Sequence, residues 1–380
     1  MVRRYLMRCL SLLVVCAGVL PLAAQNLDRI YVHDLVKYKQ GRIEARIKKE
    51  SPKEIVIELG TKTESIPVEK ISDVEYGIPA SLKVEVQSKA AREEDNAAKE
   101  TNPARRLKDY ELAVAGYRDL IDRLTKLEQY GLAKRHTEFK IAAILARMAD
   151  DDPTQIDPAL KALTQFKTDY EKSWQIDRVG KLLARLQIAK GDMKGAQATF
   201  DEFARRDDLP EPVRQEYEFA GIRALLRAEN FPDAERKLTA MAKDVAKDNP
   251  QALRVAIYLA ACKAKSNPTE AEKQLTSIIR GDAEPAVKAL AYNTLGDCYR
   301  LNNRLEDAFW QYLWVDQEYS QDFEQHAKAL YYLSILFDKA KNRPDRAKAC
   351  LDRLLNDKHF AGLDYQNQAT KDLQRKGKDK

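Results

Sequence analysis

The chain contains little histidine, the side chain that most often acts as a general acid or base. Its 380 residues include only four His, which lie far apart at His33, His136, His326 and His359. The HExxH, GxxxxGK(S/T), GxSxG and GxGxxG patterns are also missing, and these are patterns that build metalloprotease, phosphate-binding, hydrolase and dinucleotide sites. The sequence therefore predicts a protein that is not an enzyme and that uses no cofactor and no catalytic or structural metal.

The apolar run near the start of the chain is too short to span a bilayer. It covers residues 10–22, follows three Arg and precedes the small residues Ala23 and Ala24. Charged start, short apolar run and small residues are the order of a secretory signal peptide. We expect residues 1–24 to be a signal peptide and the protein to be periplasmic or otherwise exported to the cell envelope. An uncleaved membrane anchor is the main alternative, and lipidation of Cys16 is disfavoured because Val15 stands where a small residue is expected.

The chain carries little net charge once that segment is removed. Residues 1–24 contain three Arg and no acid, so their loss lowers the formal charge from +6 to +3. The charged residues make up 33% of the chain with both signs interspersed, a pattern typical of exposed helices. A nearly neutral chain offers no electrostatic surface for nucleic acid. We expect no nucleic-acid partner, and contact with a membrane only through an uncleaved signal or through a partner.

Cysteine is scarce as well. Three Cys lie outside the first 24 residues, at Cys262, Cys298 and Cys350, and they form no CxxC pair and no cluster with His. Each falls on or near an apolar helix face, where a free Cys behaves as a small hydrophobe. We expect buried thiols, although an odd number in an exported protein also permits one disulfide with a thiol left over.

A triplet of one Ala followed by apolar residues four and seven positions later recurs seven times. The leading Ala residues are spaced by 46, 37, 38, 37, 37 and 39 residues. They are Ala113, Ala159, Ala196, Ala234, Ala271, Ala308 and Ala347. An i, i+4, i+7 spacing places three side chains on one helical face, and a small Ala lets a neighbouring helix approach closely. The period predicts an array of helical hairpins over residues 105–360, with each triplet on the second helix of a pair.

One unit of the array matches a known repeat in detail. It has Tyr292, Leu295-Gly296 and Tyr299 on the first helix, followed by Ala308, Tyr312 and Val315 on the second. In these offsets the chain resembles tetratricopeptide-repeat (TPR) proteins of the exported bacterial type. The resemblance covers about residues 105–360 as an architecture and about 289–355 as a motif, and the 37–39-residue period is longer than the usual 34. HEAT-like helical pairs have similar lengths but would not be expected to keep these offsets.

Residues 29–78 follow a different period. Short alternating β-rich stretches such as residues 42–47 and 54–59 are separated by breaks at Gln40-Gly41, Ser51-Pro52-Lys53 and Gly60-Thr61. This pattern predicts five strands in a small β-barrel-like domain, which resembles Sm-like or SH3-like barrels in layout only. Residues 79–104 are either a linker or a degenerate first helix, and residues 361–380 are a basic tail that we expect to fray. The fold class is thus mostly α, a right-handed α-α TPR-like solenoid preceded by a five-stranded barrel-like domain.

The resemblance also implies where a partner would bind. In tetratricopeptide arrays the first helix of each pair lines the inner face, and the residues of this chain that would point into it are Asn293, Asp297, Arg300, Lys328 and Tyr331. Such side chains could hold an extended segment of a protein or peptide partner. We expect an exported, non-enzymatic interaction scaffold or adaptor. The alternative is a structural accessory subunit of an envelope enzyme or secretion complex.

Overall fold

The computed structural model describes residues 27–33, 38, 40–244 and 250–378. The predicted signal peptide, residues 1–24, lies outside the described residues. The chain divides into two compact units between Leu182 and Leu183.

The first unit begins with a five-stranded antiparallel sheet in the order β4-β3-β2-β1-β5. The strands are β1 (Asp28–Val32), β2 (Arg42–Glu50), β3 (Glu54–Leu59), β4 (Lys62–Pro67) and β5 (Ile71–Glu75). Burial alternates along β2, where Ile43, Ala45 and Ile47 face the core, as the alternating sequence predicts. Gly41 and Gly60 turn the chain with φ of 65° and 63°.

The sheet corrects the expectation of a barrel, because it is not closed. Among the described residues, β4 pairs with β3 and β5 pairs with β1, but β4 and β5 do not pair with each other. The start of β5 instead receives hydrogen bonds from a helix. The guanidinium of Arg178 donates to the carbonyl oxygens of Ile71 and Ser72 at 2.7 and 2.9 Å. Backbone groups at β5 are therefore satisfied without closure of the sheet.

Buried polar contacts hold the sheet against the helices of the same unit. The indole of Trp174 donates to the hydroxyl of Tyr76 at 3.0 Å, and both residues are buried. His136 Nε2 lies 3.4 Å from the carboxylate of Asp73 at β5, and His136 Nδ1 lies 3.2 Å from the amide nitrogen of Gln175. The sheet and these helices therefore share one hydrogen-bonded core.

Helices make up the rest of the chain. A single turn, α1 (Ala80–Leu82), leads through the π-helical turn Lys83–Gln87 into the long helices. These are α2 (Ser88–Lys99), α3 (Pro103–Leu124), α4 (Gly131–Asp151), α5 (Ile156–Asp169), α6 (Ile176–Lys190), α7 (Met193–Ala204), α8 (Glu211–Arg227), α9 (Phe231–Asp244), α10 (Pro250–Cys262), α11 (Pro268–Arg280), α12 (Pro285–Leu301), α13 (Leu305–Glu318), α14 (Phe323–Lys339), α15 (Pro344–Asn356) and α16 (Asp364–Lys378). No helix among the described residues has both the length and the apolar character that crossing a membrane requires.

The helices form the antiparallel pairs of a TPR-like repeat fold. An even-numbered helix packs against the odd-numbered helix that follows in the pairs α2–α3, α4–α5, α8–α9, α10–α11, α12–α13 and α14–α15. All seven leading Ala residues lie on second helices, α3 to α15, and all seven are buried. Side-chain caps start several helices, since Asp192 accepts from the amide of Gly195 and Asn267 from that of Glu270. In the segment left open as linker or first helix, α2 packs against α3 and brings Ala90 close to Gly116.

The turn inside four of the pairs uses a left-handed residue at a corresponding position. These residues are Gly191, Glu229, Asn303 and Asn342, with φ of 86°, 56°, 57° and 50°. Gly and Asn adopt this conformation readily, whereas Glu does so at a cost. These four pairs therefore share one backbone turn between their two helices.

The C-terminal segment is more ordered than a frayed tail. Gly362, at φ 80°, turns the chain into α16, which packs against α14 and α15. Ala369 of this helix is buried in a small apolar cluster that also contains Phe360 and Leu330. In the second unit, α8, α10 and α12 each contact the first helix of the next pair, and α16 occupies that position next to α14.

Candidate functional site

A groove runs along the first helices of the second unit. Within that unit, α8 contacts α10, α10 contacts α12, α12 contacts α14, and α14 contacts α16. The space between them has a volume of about 190 Å³. Its walls mix aromatic rings with charges of both signs. The charged residues are Arg223, Arg227, Arg300, Lys328, Glu229, Asp297, Glu324 and Asp364, and the rings include Tyr258, Tyr332 and Tyr365.

Asp297 is the centre of one charged cluster in this groove. Its carboxylate accepts hydrogen bonds from Lys328 and from the buried hydroxyl of Tyr312, the latter at 2.7 Å, and lies 3.8 Å from the guanidinium of Arg300. Burial, reinforced by the Asp297 charge, raises the pKa of Tyr312, so the hydroxyl remains a donor. Arg300 also lies over the ring of Tyr332, 4.8 Å from its centre. The cluster is thus held together by charge-assisted contacts.

Arg223 on α8 belongs to a second cluster. Its guanidinium donates to Glu216 at 2.8 Å and lies 3.7 Å from the carboxylate of Glu324 on α14. Arg254 donates to the other oxygen of Glu216 at 3.3 Å. Burial favours the neutral form of Glu216, but the charges of Arg223 and Arg254 outweigh it and hold the pKa of that carboxyl below its ordinary value. Helices α8 and α14 are therefore joined by an ion pair although two pairs separate them in sequence.

The structure places three of the five candidate residues together. Asp297, Arg300 and Lys328 line the groove. Asn293 is fully buried, and its amide donates to the backbone and side-chain oxygens of Gln325, each at 2.9 Å. Tyr331 lies outside the groove lining, and its hydroxyl donates to Asp372 of α16 at 2.7 Å. Asn293 and Tyr331 therefore make helix-packing contacts, and a binding role for any of the five stays a prediction.

Several groove residues were missing from the sequence-based set. Arg223 and Arg227 lie four positions apart on α8, so the spacing alone places both on one helical face. Tyr332 follows a predicted residue directly, and Tyr365 lies in the segment expected to fray. No pattern in the sequence signals that Tyr365 would reach the groove, because its position depends on the packing of α16.

The aromatic residues of the last third occupy three different environments. Tyr312 is buried, Tyr332 lines the groove, and Trp310 and Trp314 on α13 are each 49% exposed. Lys341 lies 5.0 Å from the centre of the Trp310 ring. Only some of the rings in this part of the chain therefore belong to the groove.

The three remaining thiols are free in the structure. Cys262 and Cys298 are buried, and burial raises the pKa of each thiol to about 12. Cys298 lines the groove, whereas Cys262 does not. Within the residues that the structure describes, no group of three or more His, Cys, Asp or Glu side chains is arranged to hold a metal ion.

Comparison with known proteins gives limited similarity. No protein-family model matches the chain, and no curated protein matches its sequence. Among solved structures, a tetratricopeptide repeat protein from Parabacteroides merdae is 15% identical, covers 78% of this chain and 98% of its own, and superposes with a TM-score of 0.46. BtubC (BKLC) from P. vanneervenii is 17% identical, covers 63% of this chain and 91% of its own, and superposes with a TM-score of 0.30. The apo form of RapI is 12% identical, covers 76% of this chain and 84% of its own, and superposes with a TM-score of 0.35. All three superpositions are partial.

Proposed function

We propose that this protein is an exported, non-enzymatic scaffold that holds a segment of a partner protein in the groove along its first helices. The observation that carries the proposal is the set of paired charges and aromatic rings that five successive first helices bring to one surface. Such a lining suits polar contacts to a peptide backbone together with ring contacts to its side chains.

The charge of the lining supports a scaffold over a fixed structural subunit. An obligate neighbour would be expected to cover an apolar, contiguous surface, because permanent interfaces resemble a core cut in half. This groove is mixed, with four basic and four acidic residues beside apolar ones such as Ile188, Phe200 and Leu290. Its charges suit a partner that binds and leaves, and an accessory subunit of an envelope enzyme or secretion complex stays the alternative for its apolar part.

Export is the part of the proposal that rests on sequence alone. Three Arg, the apolar run of residues 10–22 and Ala23-Ala24 occur in the order of a signal peptide. An envelope location also suits the nearly neutral mature chain, which offers no surface for nucleic acid.

The proposal is tested by neutralising two groove cations. In Arg300→Gln/Lys328→Gln, both side chains remain long and polar, and Asp297 retains the hydroxyl of Tyr312. The matched control is Arg304→Gln, whose residue lies outside the groove lining and pairs with Glu272 at 2.8 Å. Wild type and the two variants are tagged, expressed in the native organism and cross-linked in the envelope fraction. The proteins recovered with each of them are compared by quantitative mass spectrometry.

We expect the double variant to lose a partner that both wild type and Arg304→Gln retain, by about tenfold or more, while it keeps its helicity and a cooperative melting transition above the temperature of the assay. Equal recovery of every protein by all three would contradict a groove function. The strands within residues 29–78 would then be the next surface to test.

A further inference from the structure

Two of the four groove cations, Arg227 and Arg300, each contact a carboxylate and an aromatic ring. Arg300 lies 4.8 Å from the centre of the Tyr332 ring and 3.8 Å from Asp297. Arg227 lies 5.1 Å from the centre of the Tyr365 ring and 3.4 Å from the carboxylate of Asp364. Both guanidinium groups thus stack on a ring while one edge meets an acid, an arrangement that Arg adopts through its flat, delocalised charge.

The two Arg residues differ in where their partners come from. Asp297 and Tyr332 lie on α12 and α14, the adjoining first helices that form the wall itself. Asp364 and Tyr365 are consecutive residues at the start of α16, 137 residues or more after Arg227 in sequence. Tyr365 continues the row of rings, since its centre lies 5.9 Å from that of Tyr332. The first turn of α16 therefore supplies both the carboxylate and the ring that the Arg227 guanidinium contacts.

The rest of α16 is held by contacts that do not involve Arg227. Ala369 is buried beside Phe360, and Asp372 accepts from Tyr331. Gly362 precedes the first turn at φ 80°, and the space around its Cβ position is empty to 4 Å. Tyr365 also packs on Tyr331, with ring centres 5.5 Å apart, and Gln366 donates to the carbonyl oxygen of Leu355 at 3.2 Å. Release of the first turn from Arg227 therefore breaks these contacts as well, while Ala369 and Asp372 hold the later turns.

We propose that Asp364-Tyr365 acts as an internal ligand of the groove, and that the partner which displaces it presents an acidic residue next to an aromatic one. The chemistry of the occupant follows from what Arg227 contacts in this structure, because a segment with the same carboxylate and ring replaces both the charged hydrogen bond and the ring contact of Arg227. This inference rests on the proposed function of the groove and specifies the chemistry of its partner.

The first test asks whether the internal contact closes the groove, and it needs no partner. Cys298 lines the groove and Cys262 does not, although both thiols are buried and have a pKa raised to about 12. The full chain and its Asp364→Ala/Tyr365→Ala variant are treated with iodoacetamide, and the adduct at each Cys is followed by peptide mass spectrometry. Cys262 is the internal control within the same molecule.

We expect Cys298 to react at least about threefold faster in the variant while Cys262 keeps its rate, because local opening exposes a thiol without global unfolding. Arg227→Gln removes the same contact from the other side and should give the same selective increase. Unchanged Cys298 rates in both variants would overturn the closure, and so would equal increases at Cys262 and Cys298, since these report general loosening.

The second test concerns the chemistry of the partner. A labelled peptide with the sequence of residues 362–373 is titrated into wild type and into Asp364→Ala/Tyr365→Ala, with fluorescence anisotropy as the readout. The comparison peptide carries Lys and Ala in place of the Asp-Tyr pair. We expect the native peptide to bind the variant about tenfold more tightly than wild type, and the comparison peptide to bind neither.

The outcomes separate this inference from the function on which it rests. Equal binding of the two peptides would overturn the acidic-aromatic chemistry. Loss of the cellular partner in Arg300→Gln/Lys328→Gln would still support the groove function in that case. Failure of the groove function would appear instead as unchanged partner recovery in that double variant.

Discussion

Gly296 on α12 lies directly against the buried ring of Tyr312 on α13. A Cβ placed on Gly296 would come within 2.8 Å of Cζ and 2.9 Å of Cε1 of that ring. Real Cβ atoms essentially never approach other atoms so closely, so the two helices can meet here only because residue 296 is a glycine. The spacing of Leu295-Gly296 and Tyr312 in the sequence of this unit therefore reflects one close contact between the two helices.

Gly296→Ala should destabilise the second unit by up to about 2 kcal/mol, which is the overpacking cost of roughly 1–3 kcal/mol less a helix-propensity gain of about 1 kcal/mol. Chemical unfolding followed by circular dichroism measures the change. The matched control is Gly131→Ala in α4, where an added Cβ meets nothing within 4 Å. The control should be neutral or slightly stabilising, and equal effects at the two sites would show that Gly296 does not lie at a tight contact.

Glu229→Asn should stabilise the second unit by about 0.5–1 kcal/mol, because Glu229 holds the left-handed turn at φ 56° that Asn303 and Asn342 hold elsewhere. The substitution also removes the exposed pair with Lys265, which contributes little. Glu229→Gln keeps the backbone cost and loses the same charge, so it separates the two effects. A melting temperature no higher for Asn than for Gln would argue against backbone strain at this turn.

Acidification should weaken the first unit through His136. Burial lowers the pKa of this imidazole, although the nearby Asp73 carboxylate favours the charged form. The unfolded chain, with a His pKa of about 6.5, takes up the proton first, so the stability conferred by neutral His136 is complete above about pH 6.5 and is lost progressively below it. Asp73 does not contribute in this range. Although Asp73 is buried, the hydrogen bond and charge of His136 hold the pKa of the Asp73 carboxyl well below its ordinary value. The stability that Asp73 confers is therefore lost only at much lower pH.

The measurement is thermal unfolding of wild type and His136→Gln at pH 7.5 and 5.5. Wild type should lose more melting temperature over this interval than the variant, which has no proton to gain at this position. Parallel losses in the two proteins would assign the pH response to other groups.

Export predicts a mature N-terminus near Ala24, since cleavage follows the small residues after the apolar run. Terminal sequencing of protein recovered from the envelope fraction provides the check. Recovery of that protein with Met1 or Val2 at its terminus would remove the export proposal and the argument from mature charge.

Local patterns predicted the helical pairs well, because each triplet needs only its own helix and the next. All seven leading Ala residues are buried, as an i, i+4, i+7 face with a small residue requires. Alternation along residues 42–47 likewise places Ile43, Ala45 and Ile47 in the core of the sheet.

Features that depend on distant segments were not predictable in the same way. The burial of Asn293 requires Gln325 on the next first helix, and the open sheet requires Arg178 at the carbonyl groups of β5. The contact of Arg227 with Tyr365 depends on the packing of α16. In each case the deciding partner lies more than 30 residues away in sequence, beyond the reach of helical or strand periodicity.

The pairing of charges along the groove has a consequence for how fast a partner can arrive. Four basic and four acidic side chains line the groove and cancel in sum, so little field extends beyond a Debye length into solvent. We expect encounter with the proposed partner to be governed by diffusion and orientation, with association rates of about 10⁵–10⁶ M⁻¹s⁻¹ that change little with ionic strength. Salt should act instead on how long the complex lasts, because the short-range pairs inside the groove are the ones that ions and water compete to replace.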